Sequence, residues 1–180
     1  MTTLRERQAP LKQRYQEDPE SGKIVMTVRS ITTGDDPTRC TIATVDDGGN
    51  VLAAWDAAAH PMAGGDGELA CSGDLLLASL AACQEITVRM VASAMGVELQ
   101  ELEVVVEGDM DFRGTMGIDP ETPVGFTAIR SRVRLVADVP EDRLAKLAAR
   151  AERYCVVGAT LREGTALTTD ISARSVSGVA

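Results

Sequence analysis

Four cysteines, Cys40, Cys71, Cys83 and Cys155, and a single histidine, His60, are the side chains of this 180-residue sequence best suited to nucleophilic, redox or metal chemistry. Their spacing excludes several kinds of site. No C-x-x-C occurs, and one histidine cannot supply the paired ligand spacings of a zinc site. A Ser-His-Asp hydrolase would depend on His60, and no G-x-S-x-G turn accompanies it. Neither G-x-G-x-x-G nor G-x-x-x-x-G-K-[ST] is present, which removes the motif arguments for a dinucleotide or a nucleoside triphosphate. No metal and no bound cofactor are expected; attention turns to the thiols, each of which reads first as a small core hydrophobe and needs its context to argue for chemistry.

The rest of the composition narrows the partners. Eighteen Lys and Arg against 27 Asp and Glu give a net charge of −9, with one Trp, two Tyr and two Phe, which disfavours a nucleic-acid binder that needs cationic grooves and stacking platforms. No uninterrupted apolar run approaches the roughly 20 residues that span a bilayer, so no membrane partner is expected. The first eight residues hold no apolar segment of a secretory signal. The expected compartment is the cytoplasm, where disulfides are rare and a cysteine is read for its reactivity.

The elements that must position these thiols follow from pattern. Residues 1–22 are charged and carry Pro10 and Pro19, and read as an arm with one turn of helix near Leu11 to Tyr15; residues 23–180 read as a single domain. Stretches 23–31, 38–45 and 51–55 are separated by turn compositions and predict a three-stranded antiparallel sheet. A Gly-rich loop over 60–69 leads to the strongest helix signal, 75–95, with Ser72 as its N-cap, Asp74 in the favourable field of its N-terminus and Gly96 beyond its end. Between Leu75 and Cys83 this helix is apolar nearly all round, so it must be enclosed, most simply by a second subunit.

Segments 101–111 and 127–135 alternate acids and arginines against Leu, Val and Ile, which predicts an antiparallel pair with one wet face. Pro140 opens a helix whose apolar stripe, Leu144, Leu147, Ala148, Ala151, Tyr154 and Cys155, puts Cys155 on its buried side or just past its end. A short helix over 156–161 and a closing strand over 165–174 complete the order. The fold class is α+β, with helices gathered on antiparallel sheets.

A mid-helix thiol in apolar company is pushed toward its inert form, so Cys83 needs a cation to act at neutral pH. Arg89 has Glu85 as its i,i+4 partner, whereas Arg39, on the rim of the first hairpin, is freer. Asp74 lies nine residues before Cys83, about 13.5 Å along the axis. It reaches the thiol only through an intervening arginine or from a second copy of the helix.

The blocks Ala-Cys-Ser-Gly-Asp-Leu-Leu-Leu-Ala-Ser-Leu-Ala-Ala-Cys (70–83), Glu-Gly-Asp-Met-Asp-Phe-Arg-Gly (107–114) and Glu-Arg-Tyr-Cys-Val-Val (152–157) resemble the OsmC/Ohr family of osmotically induced and organic-hydroperoxide-resistance proteins. The resemblance runs from about residue 23 to the C-terminus. It implies an intertwined homodimer with antiparallel sheets around a long buried central helix and a site at each interface. It also implies a thiol peroxidase in which Cys83 attacks the peroxide and Cys155 resolves the sulfenic acid as a disulfide. A dithiol such as a dihydrolipoyl protein then resets it. Family peroxidases pair a glutamate at the start of the cysteine helix with an arginine from the first hairpin; here the shorter Asp74 stands there, with Arg39 as the counterpart. Cys71 and Glu85 have no place in that scheme; Cys71 reads as packing, with an alternative resolving thiol or a reactive bystander left open, Cys40 reads as core, and His60 reads as a loop residue, with a proton relay left open. Two other readings stay open: a non-catalytic protein of the same fold holding a small apolar ligand at the dimer interface, and a redox sensor.

Overall fold

Three short strands open the sheet structure because residues rich in Thr, Val and Ile alternate between well-formed turns. The computed structural model describes residues 2–32 and 34–174. Met1 of the expected arm, Thr33 of the expected hairpin loop and the last six residues of the expected 23–180 domain lie outside the described residues. Strands β1 (Thr27–Thr32), β2 (Arg39–Val45) and β3 (Val51–Ala58) form an antiparallel sheet in sequence order. Asp46 shapes the β2–β3 turn: its carboxylate accepts from the N–H groups of Gly48 and Asn50 at 2.9 and 2.8 Å. The sheet makes no extensive contact with any helix of its own chain. Val28, Ile31, Val51, Leu52 and Trp55 are consequently exposed.

Helix α2 (Ser72–Met95) carries the fold. Its N-cap is Cys71, one residue before the expected Ser72. The Cys71 Sγ accepts from the Asp74 N–H at 3.4 Å, and the Asp74 carboxylate accepts from the Cys71 N–H at 2.9 Å, a reciprocal capping box. A thiol is a weak acceptor, which is why pattern alone prefers the neighbouring hydroxyl. Gly96, at φ 62°, ends the helix in the left-handed conformation open to glycine. Asp74, Glu85 and Arg89 interrupt the apolar run, yet by length and composition α2 is long and apolar enough to cross a membrane.

The hairpin of β4 (Glu101–Asp109) and β5 (Ala128–Val136) lays its inner side against α2. Its outer face holds the expected ladder: Arg132 reaches Glu107 at 3.0 Å, and Arg134 reaches Glu101 at 2.7 Å and Glu103 at 3.4 Å. Between the strands, the one-turn helix α3 (Phe112–Thr115) sits against the loop that holds His60. Helix α4 (Glu141–Tyr154) then packs along α2, and α5 (Val156–Glu163) turns off its end. Leu147 and Ala151 of α4 meet Val88 and Ala92 of α2, with Val97 beneath, as the central cluster. The i,i+4 spacing on both helices makes this a ridge-into-groove seam.

Three expectations need correction. The arm is not one turn but the 14-residue helix α1 (Leu4–Glu17), started by a Thr3/Glu6 capping box and built largely from strong helix formers, with Pro10 inside it. Segment 165–174 forms no strand: among the described residues no strand pairs with it to take up its backbone groups, and Leu167 and Ile171 are 89% and 86% exposed. Finally, Tyr154 and Ala148 are exposed, so the α4 stripe is narrower than its spacing implies. Nor does one copy enclose α2. Leu80, Val88 and Ala92 are its buried residues, while Leu76, Ile86 and Met90 face outward.

Candidate active site

The α2–α4 seam determines where the two key thiols stand. Cys83 lies midway along α2, one turn before Thr87 and beside the buried Leu80. Cys155 is the pivot between α4 and α5. It ends one helix and caps the next, its Sγ accepting from the Gly158 N–H at 3.3 Å. Only 1% of Cys155 is exposed. Its thiol lies 3.4 Å from the Cys83 Sγ, across 72 positions of sequence. Both cysteines are free thiols, and a disulfide would need the sulfurs to close to about 2.05 Å.

The two sulfurs are polarised in opposite senses. Burial pushes the Cys83 thiol up, but hydrogen bonds from the Val157 N–H, the Cys155 thiol, the Thr87 hydroxyl and the Val156 N–H together outweigh it, and Cys83 is held below the ordinary thiol value. For Cys155, burial also pushes upward. The Gly158 N–H opposes it, donation to Cys83 and the Cys83 charge reinforce it, Arg162 pulls down, and the net direction is up. The arrangement favours a thiolate on Cys83 with a thiol on Cys155. The start of α5, aimed at Cys83, supplies backbone donors that the apolar sequence around that residue does not reveal.

Arg39 is not the free cation that its hairpin position predicts. The loop after β3 folds back over the start of β2, so Arg39 pairs with Asp66, with Glu68 at 2.6 Å and with Asp36 at 3.7 Å. Asp74 is spent on the α2 cap, where the Cys71 N–H and thiol hold its carboxyl below the usual range. Within the protomer neither residue hydrogen-bonds to Cys83. Glu85 pairs with Arg89 at 3.2 Å, as the i,i+4 spacing predicts. His60 accepts from the Met62 N–H through Nδ1 at 3.1 Å and stacks on Phe112 with ring centroids 4.9 Å apart. Cys40 and Cys71 are half-buried. Among the described residues no His, Cys, Asp and Glu side chains cluster as metal ligands.

Sequence reasoning missed Arg162 and Gly158. Seven residues after Cys155 is about two helical turns, so a helix starting at Val156 returns Arg162 to the side of the thiol; that spacing was the available signal. The guanidinium donates to the Glu152 carbonyl at 3.2 Å. A groove of about 750 Å³ opens alongside, between α2, β5, α4 and α5, with Leu80, Val88, Ile129 and Leu161 in its walls. The Ser131 hydroxyl donates to Gln84, the residue after Cys83, across the same space.

A family model described as OsmC-like protein matches residues 65–170. Among solved structures, the chain resembles an OsmC like protein from Mycoplasma pneumoniae at 17% identity, covering 79% of this chain and 90% of that one with a TM-score of 0.60. It also resembles an organic hydroperoxide resistance protein OsmC from Legionella pneumophila, at 20% identity, 77% and 90% coverage and a TM-score of 0.54. A third, an organic hydroperoxide resistance protein from Elizabethkingia anophelis, is 16% identical, with 79% and 91% coverage and a TM-score of 0.51. At these identities the likeness is one of fold. No curated protein sequence matches.

Proposed function

Because the chain belongs to the OsmC-like protein family, we propose that it is a thiol peroxidase for organic hydroperoxides, with Cys83 as attacking thiolate and Cys155 as resolving thiol. The observation that carries this reading is the 3.4 Å contact between the two sulfurs, together with their opposite polarisation. The Cys83 thiolate attacks the terminal oxygen of ROOH, the O–O bond breaks, and the departing alkoxide takes a proton to leave as ROH. Cys83 is then a sulfenic acid. Cys155 attacks its sulfur, the S–O bond breaks, and water leaves as the disulfide forms. An external dithiol of the cytoplasm, such as a dihydrolipoyl protein, reduces that disulfide and is oxidised in turn.

The working unit we propose is a homodimer built from the 23–180 domain, with residues 1–22 as an appended arm. Two observations support it: the β1–β3 sheet has apolar faces and no extensive contact with its own helices, and α2 keeps an exposed stripe of Leu76, Ile86 and Met90. In that dimer Arg39 and Asp74 of one copy would serve the Cys83 site of the other.

Consumption of cumene hydroperoxide with dihydrolipoamide tests the proposal. Cys83→Ser should abolish turnover and Cys155→Ser should stall it after one equivalent; parent-like rates in both variants end the peroxidase reading. The groove favours one alternative, a non-catalytic protein that holds a small apolar ligand. Saturable binding of an apolar fluorophore without peroxide consumption would select it, and a lasting Cys83 sulfenic acid without turnover would select a redox sensor.

A further inference from the structure

Resolution requires Cys155 to lose its proton; burial and Cys83 resist this in the resting state, and two groups on α5 favour it. One is the Gly158 N–H, 3.3 Å from Sγ. The other is Arg162. A Cβ built at Gly158 would lie 3.2 Å from the Cys155 Sγ and 3.3 Å from the Arg162 Nη1, so sulfur and guanidinium both border the same point. Glycine at 158 leaves that space open. Arg162 is anchored by its bond to the Glu152 carbonyl at 3.2 Å and stands 3.9 Å from the Glu152 carboxylate, which ties α5 back onto the last turn of α4.

We propose that Arg162 is a positioning residue for the resolving thiol: its guanidinium and the Gly158 N–H form a cradle that lets Cys155 ionise once Cys83 has lost its charge. The inference rests on the peroxidase reading above. The charged and titratable groups facing Cys155 are Cys83 from α2, Arg162 from α5 and Glu152, through Arg162, from α4. Before oxidation, the Cys83 thiolate holds the Cys155 proton by accepting from it and by its negative charge. Oxidation turns Cys83 into a neutral sulfenic acid and both restraints vanish, while the cradle stays. The resolver is thereby kept protonated until there is something to resolve, and the Cys155 thiolate then attacks the Cys83 sulfur and expels hydroxide, which takes up a proton to leave as water.

The test is a thiolate titration that needs no peroxide, followed by ultraviolet absorbance of the full-length protein in a Cys40→Ser/Cys71→Ser background. Cys83→Ser, which mimics the uncharged state, should lower the Cys155 midpoint relative to the reduced parent. Adding Arg162→Met should raise it by about one unit, Arg162→Lys should restore most of that shift, and Glu152→Gln should move it downward. A loosened elbow alone would not produce shifts of opposite sign in the Arg162 and Glu152 variants. Equal midpoints in Cys83→Ser, its Arg162→Met form and its Glu152→Gln form overturn the cradle. Failure of peroxide consumption with these shifts intact would overturn the peroxidase reading instead.

Discussion

Leu147→Ala strikes the contact on which the site depends. Leu147 is 0% exposed and fills the α2–α4 seam against Val88, Ala92 and Ala151, with Val91, Met95, Leu102 and Leu135 around it. Truncation removes three carbons from a close-packed place and leaves a cavity, for which buried Leu→Ala changes cost about 3 kcal/mol. Urea unfolding of the reduced protein, at one fixed concentration so that dimerisation is held constant, should show that loss. The seam also sets the sulfur-to-sulfur approach, so disulfide formation after one equivalent of peroxide should slow about tenfold or more, as small misplacements of reacting atoms do. In the oxidised protein a Cys83–Cys155 bond would close a loop of 72 positions and stabilise by about 2–4 kcal/mol; the variant's deficit should persist on top of that gain. A loss below about 1 kcal/mol would show that Leu147 is not the keystone of this core. Unchanged closure kinetics would show that the seam does not align the thiols.

Other outcomes are accessible to simple experiments. Asp74→Asn should cost about 0.5–1 kcal/mol at neutral pH through the α2 cap; since the folded-state value of Asp74 is depressed, that advantage is full above the ordinary carboxylate value and fades as pH falls through the folded-state value, so the parent and variant should converge in acid unfolding. Peptide-mapped alkylation of the parent should place Cys83 ionisation below the ordinary thiol value of about 8.5. For stability the signs are opposite: the Cys83 contribution is present above that ordinary value and fades as pH falls through its folded-state value, whereas the Cys155 contribution is present below it and is lost as pH rises through its own raised value. Light scattering should give twice the mass of one chain, and Ile86→Asp, on the exposed stripe of α2, should reduce it to one.

Much of the architecture was legible because periodicity reports which face is buried. The β1–β3 meander, the acid–arginine hairpin and the spans of α2 and α4 follow from spacing, and Cys155 at a helix end follows from the α4 pattern. What escaped depends on contacts between remote segments. Arg39 looks free until the 60–69 loop brings Asp66 and Glu68 across it. The lowered Cys83 thiol owes much to the first amides of α5, which have no local signature, and the opposing pull of Arg162 on Cys155 is foreshadowed only by its seven-residue spacing from that cysteine. Segment 165–174 has strand composition, but a strand needs a ladder partner and among the described residues none pairs with it. In the arm, Pro10 and the dense charge mask a helix that the Thr3/Glu6 capping box starts ahead of the proline.

Mass-spectrometric mapping of the protein after one equivalent of cumene hydroperoxide per chain tests the central claim most directly. The expected product is a Cys83–Cys155 disulfide within one chain, formed with Cys40 and Cys71 still reduced. Recovery of both Cys83 and Cys155 as free thiols, or of the oxidation on Cys40 or Cys71 instead, would contradict it.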